Sequence, residues 1–310
     1  MTTTLAPAPR VCLELESTSG SLAATLRAAA GLLERSGRIR LVDAEADADL
    51  VHTVGEVVGR VPAGAHHVHT VDRVALRGGL RPARWWVRQK RRATASSTVW
   101  LTHGRTAARV VVSARLTPGE RLRCLPVLPP PHGGSGDDRV RGRAELRAGL
   151  GVGPGVRLVL GSEPGDWTAA VRRLGRTDVA IALCAPNGQP RLTDLLTAAD
   201  LFVACGHDLA ACNPGAAAIA VGLPVVAVTT DSVADLIDAG RGGYVVPPDA
   251  DSIAAAIAAH LDGAVPASRR APDGTDGRRV AGRLARDLMA AYDRALDGPP
   301  TRPRKAWRPG

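Results

Sequence analysis

The stretch ADLFVACGHDLAACNPGAAAIAVGLPVVAVTTDSVADLIDAGRGGYVVPPDADSIAAAIAAHL, residues 199–261, decides the fold. ADLFVAC (199–205) and LPVVAVT (223–229) are short, almost unbroken apolar runs. Such runs suit strands of a parallel sheet covered on both faces, where alternation is lost. Between them, Asn213 is a good helix N-cap and Pro214 a good first helical residue, followed by small side chains. Strand, helix and strand within 35 residues or so is the βαβ rhythm of an α/β protein.

The same rhythm extends outward. VCLEL (11–15), RIRLVDA (38–44), ADLVHTV (48–54), HHVHTV (66–71), TVWLTH (98–103) and LRCLPVL (122–128) read as strands of an earlier block. VRLVLGS (156–162) and VAIALCA (179–185) belong with the later one. Residues 22–37 have apolar side chains at helical spacing and Gly37 as a stop. PVLPPPHGGSGDD (126–138) reads as a linker. These signals divide the chain into a first lobe over 1–133, a second over 134–278, a closing helix over 279–297 and a basic, disordered tail over 298–310.

Composition excludes several classes. The chain has 310 residues, 45% of them hydrophobic, enough for two packed cores. Aromatic residues are only 3%, so Ala, Val and Leu must fill the interior. The first residues lack the apolar core of a secretory signal. The longest apolar region is interrupted by Asp200, Asp208 and Asn213 and does not suit a membrane span. Five cysteines without a CxxC pair suit reduced thiols in a cytoplasm better than a disulfide framework or a zinc ribbon. The formal net charge is +10, and only Lys90 and Lys305 among the cations are not arginine. That bias reads as compositional drift; no nucleic-acid motif accompanies it.

Several motifs follow in order from the opening stretch: Asp200-Leu201-Phe202, Gly222-Leu223-Pro224-Val225-Val226, Asp235-Leu236-Ile237, Gly240-Arg241-Gly242-Gly243 and Val246-Pro247-Pro248-Asp249. Together they closely resemble the C-terminal lobe of GT-B glycosyltransferases of the family-4 (group 1) type. ADLVHTVG (48–55), residues 88–107 and 121–130, and the closing helix resemble the rest of that fold more faintly. The resemblance implies two Rossmann-like parallel-sheet lobes with an interlobe cleft. It also implies transfer of a sugar from a nucleotide-sugar donor held by the second lobe to an acceptor held by the first, with retention of configuration, no metal and no cofactor beyond that co-substrate. Such proteins are longer than this chain. The shortfall falls partly between Gly161 and Asp200, where only VAIALCA remains, about one βα unit short.

A diphosphate leaving group needs positive charge or free N–H groups. The turn at Asn213, Pro214 and Gly215 offers amides at a helix start, though a tightly packed structural helix fits the same residues. Gly161 and Ser162 end the first strand of the second lobe, and Ser19 and Gly20 lie in the turn after the first strand of the chain. Both turns stand where the resemblance places phosphate or acceptor contacts. The cationic clamp is missing: nothing basic follows Gly161 before Arg172. The glutamate pair of the family aligns with Leu209 and Ala217, leaving Asp208 one position early. Either the donor is held by other groups, or the chain is a non-catalytic scaffold beside an active transferase.

Acid–base candidates are His52 and His103, which end strands of the first lobe, with Asp208; core or capping histidines account for His52 and His103 at least as well. In HHVH, His67 and His69 share a face by alternation, and a partly exposed strand end accounts for the cluster better than a metal does. Residues 77–92 hold Arg84, Trp85, Trp86 and Arg88, the combination an interfacial helix uses on anionic lipid. A solvated basic helix with inward tryptophans fits equally. A lipid-linked or glycan acceptor at a membrane surface would suit the former.

Overall fold

The computed structural model describes residues 7–15, 20–55, 61–71, 73–75, 99–113, 115, 117, 119–125, 142–161, 166–184, 191–205, 208–210, 214–237, 242–263 and 277–301. The chain divides into one unit of Met1–Pro126 with Arg278–Gly310 and another of Val127–Gly277.

The first unit holds β1 (Arg10–Glu14), β2 (Arg40–Leu41), β3 (Leu50–Gly55), β4 (His66–Val71), β5 (Arg73–Ala75), β6 (Val99–His103) and β7 (Leu122–Leu125). Six of them form a parallel sheet in the order β2-β1-β3-β4-β6-β7. Helix α1 (Gly20–Arg35) buries Leu22, Leu26, Ala29, Ala30 and Leu33, a stripe at helical spacing. It stops where Gly37 adopts φ 69°. There the amide of Arg38 reaches the Leu33 carbonyl and that of Gly37 the Glu34 carbonyl, a left-handed C-cap. Helix α2 (Arg105–Ser113) follows β6.

The second unit holds α3 (Arg143–Gly149), β8 (Arg157–Gly161), α4 (Asp166–Arg173), β9 (Val179–Leu183), α5 (Leu192–Ala198), β10 (Leu201–Ala204), β11 (Asp208–Ala210), α6 (Pro214–Ala220), β12 (Val225–Val228), α7 (Ala234–Ile237), β13 (Gly243–Val246) and α8 (Ala250–Leu261). Its sheet is parallel, in the order β13-β12-β10-β8-β9. Among the described residues one strand, β9, stands between β8 and β10 in sequence, and it forms the sheet edge. Ile181 and Leu183 on that edge are 38% and 43% exposed, unusual for a parallel strand.

All ten apolar runs became strands. The sequence reading left β13 unassigned, and the tail needs correction. The last helix, α9 (Gly277–Leu296), belongs with the first unit. It buries Leu284, Leu288, Ala291, Tyr292 and Ala295 on one stripe. After it the chain remains tied down. Thr301 donates its amide to the Ala65 carbonyl at 3.0 Å and accepts from the Gly64 amide at 3.1 Å. Its buried hydroxyl lies 2.8 Å from the Pro62 carbonyl and 2.7 Å from that of Ala65. The described part of the tail therefore reaches residue 301 and is held in place, and 302–310 lie outside the described residues. No described helix is long and apolar enough to cross a membrane.

Candidate functional site

In open parallel sheets ligands bind beyond the carboxyl ends of strands, where the strand order reverses. In the second unit that point lies between β8 and β10, at Gly161 and Ala204. A Cβ on Gly161 would sit 2.3 Å from Cζ2 of Trp167, whose indole is 1% exposed. Gly161 is small because Trp167 covers it on that face, a packing task that leaves only its backbone for the donor contact expected of it. Cys205, just past β10, has its thiol pushed up to about 12, first by burial, then by the Asp231 and Asp166 carboxylates. Asp231 is itself buried and accepts a 2.9 Å bond from the Val233 amide, closing the turn into α7. This end of the sheet therefore gathers acids, which the sequence reading missed; an aspartate soon after each of two strand ends was the available signal.

Helix α6 starts at Pro214, as the capping pattern indicates. Gly215 and the residues through Ala220 are all buried. Ala217, in the slot of the expected second glutamate, is 0% exposed within the apolar core that includes Leu160, Phe202 and Val225. Asp208 and Leu209 lie in β11, and Gly20 begins α1. Ser19, Ser162, Asn213 and the basic segment with Arg84, Trp85, Trp86 and Arg88 lie outside the described residues.

The residues that carry the family resemblance have identifiable structural tasks. Asp200 accepts from Arg143 at 2.8 Å, from Arg147 at 3.1 Å and from the Leu158 amide at 2.8 Å, tying α3 to β8. Gly222 takes φ 76° so that the chain can leave α6 for β12. A Cβ on Gly243 would lie 2.4 Å from the Val225 carbonyl oxygen. Asp249 caps α8, accepting from the amides of Asp251 at 3.1 Å and Ser252 at 2.8 Å. Those bonds and the Ser252 hydroxyl hold its carboxyl below the usual range.

In the first unit His67 and His69 lie deeper than the sequence suggested, and His52 and His103 take the core alternative. His52 is 0% exposed on β3. Its Nδ1 pairs with the Tyr292 hydroxyl at 2.8 Å and its Nε2 with Oγ1 of Thr70 at 2.8 Å. Burial, aided by His67 and His103, pushes its pKa down to about 3. With both ring nitrogens engaged it anchors α9 to the sheet, and its assignment as an acid–base group is corrected. His103 is also buried, at the carboxyl end of β6.

His67 and His69 do share a face. Oγ1 of Thr53 lies 2.9 Å from Nε2 of His67 and 2.9 Å from Nδ1 of His69. One hydroxyl proton serves one ring, so the other ring must donate to the same oxygen. Both histidines are buried and only His66 is half-buried, so the exposed strand-end reading fails for the pair. Burial also puts His67 near 3. Among the described residues no group of His, Cys, Asp and Glu could hold a metal ion.

Residues 154–262 match the family model described as "Glycosyl transferases group 1". A glycosyltransferase from Rickettsia africae ESF-5 aligns over 94% of this chain and 99% of its own, with 10% identity and a TM-score of 0.62. WaaG, a glycosyltransferase involved in lipopolysaccharide biosynthesis, aligns over 93% and 98% with 16% identity and a TM-score of 0.53. Anabaena HepE in complex with UDP aligns over 93% and 98% with 13% identity and a TM-score of 0.52. No curated protein matches the sequence. This chain thus has the GT-B fold of these structures, and residues 154–262 of its second lobe resemble group 1 glycosyl transferases.

Proposed function

We propose that the chain binds a nucleoside-diphosphate sugar at the carboxyl ends of the second-lobe strands and transfers the sugar, with retention and without a metal, to an acceptor on the first lobe. The observation that carries this reading is the group 1 match, which spans most of the described second lobe, including β8, β10, α6, β12 and α8. HepE, of the same fold, was captured with UDP. The contacts proposed for the donor are the turn at Asn213, Pro214 and Gly215 and the backbone at Gly161 and Ser162. His103 and Asp208 are the proposed catalytic groups, and Ser19 and Gly20 the proposed contacts for phosphate or acceptor. Arg84, Trp85, Trp86 and Arg88 form a cytoplasmic, membrane-facing surface for a lipid-linked or glycan acceptor.

One observation favours a second reading, a non-catalytic GT-B scaffold for an active transferase. The position aligned with the family's second glutamate is Ala217, buried in the core with no room for a ribose contact. Calorimetric titration with UDP, GDP and ADP sugars, followed by an assay for nucleotide release, separates the two. Binding with sugar-dependent release supports transfer. Binding without release supports the scaffold. No binding at millimolar concentration of any donor refutes donor recognition itself.

A further inference from the structure

The opposite, amino-terminal edge of the second sheet carries a cavity of about 550 Å³. Its walls come from the starts of β8, β10 and β12 and the ends of α5, α6 and α8, so it lies away from the carboxyl-end site described above. Arg143, Arg157, Asp200 and His260 supply its polar side; Val221 and Leu223 lie on its apolar side.

The charge there does not cancel. The Asp200 carboxylate is occupied by Arg143, Arg147 and the Leu158 amide. Arg143 also caps the end of α5 through the Thr197 and Ala199 carbonyls, and Arg147 does so through that of Ala198. The helix-end carbonyls that would otherwise repel an anion are thus already paired. The end of α8 closes on itself, Asp262 to the Ala258 carbonyl and Gly263 to that of His260. Arg157 is held more loosely than Arg143 and Arg147. Its side chain is 50% exposed, pairs with an already satisfied Asp200 at 3.8 Å and acts on Asp178 only through its charge, while its backbone amide donates to the Asp178 carbonyl. A guanidinium presents five donors in a plane that suits phosphate or carboxylate.

We propose that this cavity is a second ligand site, taking a small molecule with one oxyanion group on Arg157 and an apolar body against Val221 and Leu223. Its volume is in the range of small-molecule sites. Because it is separate from the strand ends where a nucleotide would sit, its occupancy does not depend on the donor reading.

The experiment uses the full chain with phenyl phosphate, inorganic phosphate and phenol as probes, by calorimetry and ligand-observed NMR. Phenyl phosphate should bind at least fivefold tighter than inorganic phosphate, and phenol should not bind. Arg157→Gln should weaken phenyl phosphate at least tenfold while leaving the thermal midpoint nearly unchanged, since the substitution keeps the backbone bond to Asp178 and removes only a 3.8 Å, half-exposed ion pair. Val221→Ser should erase the phenyl preference and spare phosphate. Saturating UDP should leave phenyl phosphate bound. Equal affinity in the Arg157 variant, displacement by UDP, or no binding of phenyl phosphate at 10 mM would each overturn the proposal.

Discussion

Lowering the pH from 7 to 5 should loosen the first lobe much more than the second. Burial holds His52 and His67 near 3, whereas an imidazole in the unfolded chain titrates near 6.5. Below about 6.5 the unfolded chain therefore takes up protons that the folded chain refuses, and stability falls with pH. It is fully present above the unfolded value and is lost progressively down to about 3. One pH unit in that window corresponds to about 1.4 kcal/mol per group, so the step from pH 7 to 5 costs about 2 kcal/mol for each histidine, about 4 kcal/mol together. That is a large share of the stability of an ordinary domain. The depressed carboxylates Asp49, Asp178 and Asp249 lose their contribution only below about pH 4, so they do not mask the effect.

Pulse proteolysis across a urea series, with peptides of each lobe counted by mass spectrometry, reads the two lobes separately. The first-lobe midpoint should fall at pH 6 and again at pH 5. His67→Gln removes one titrating group and should halve the slope while keeping a partner for Thr53. Equal losses in both lobes, an unchanged slope in the variant, or a His52 resonance titrating near 6.5 would refute the reasoning.

Tyr292→Phe removes the hydroxyl from His52 and should cost about 1–2 kcal/mol in urea unfolding; an unchanged midpoint would remove the anchoring role given to α9. Gly161→Ala drives a methyl into the Trp167 indole and should cost about 1–3 kcal/mol. Combined with Trp167→Leu its loss should shrink, whereas strictly additive losses would show that the two residues do not touch. Ala217→Glu restores the family's carboxylate but places it in the apolar core. It should destabilise by about 3 kcal/mol or more without improving UDP binding; tighter binding at unchanged stability would refute that placement.

The sheets were legible because parallel strands buried on both faces write themselves as continuous apolar runs. β13 escaped because Gly243-Tyr244-Val245-Val246 is four residues long, at a sheet edge, between glycines and prolines. The depth of the histidines was hidden for a different reason. Their partners come from other strands and, for His52, from Tyr292, 240 residues away. A signal did exist: His-Thr recurs inside two apolar strands, at 52–53 and 69–70. Polar side chains in a doubly covered sheet must find one another. The family motifs were read correctly as a pattern, yet Asp200, Gly222, Gly243 and Asp249 all serve packing, caps and turns. A resemblance carried by such residues transmits the fold more faithfully than the chemistry.

The electrostatics of the second lobe extend that point to a measurement. Arg143, Arg147 and Arg157 stand at the amino edge of the sheet, while Asp166 and Asp231 stand within electrostatic reach of Cys205 at the carboxyl end. A diphosphate at the carboxyl end meets like charge from the described residues, and its stabilisation must come from backbone amides or from residues outside them. A carboxylate about 6 Å from a phosphate, in surroundings close to water, repels it by roughly 0.7 kcal/mol. If UDP binds at that end, Asp166→Asn should tighten it by about threefold, where a cationic-clamp site would show no gain. Asp231→Asn is the weaker probe, because that carboxylate also closes the turn into α7. Unchanged UDP affinity in the Asp166 variant, with binding otherwise intact, would place the nucleotide elsewhere and remove the carboxyl-end site from the proposed mechanism.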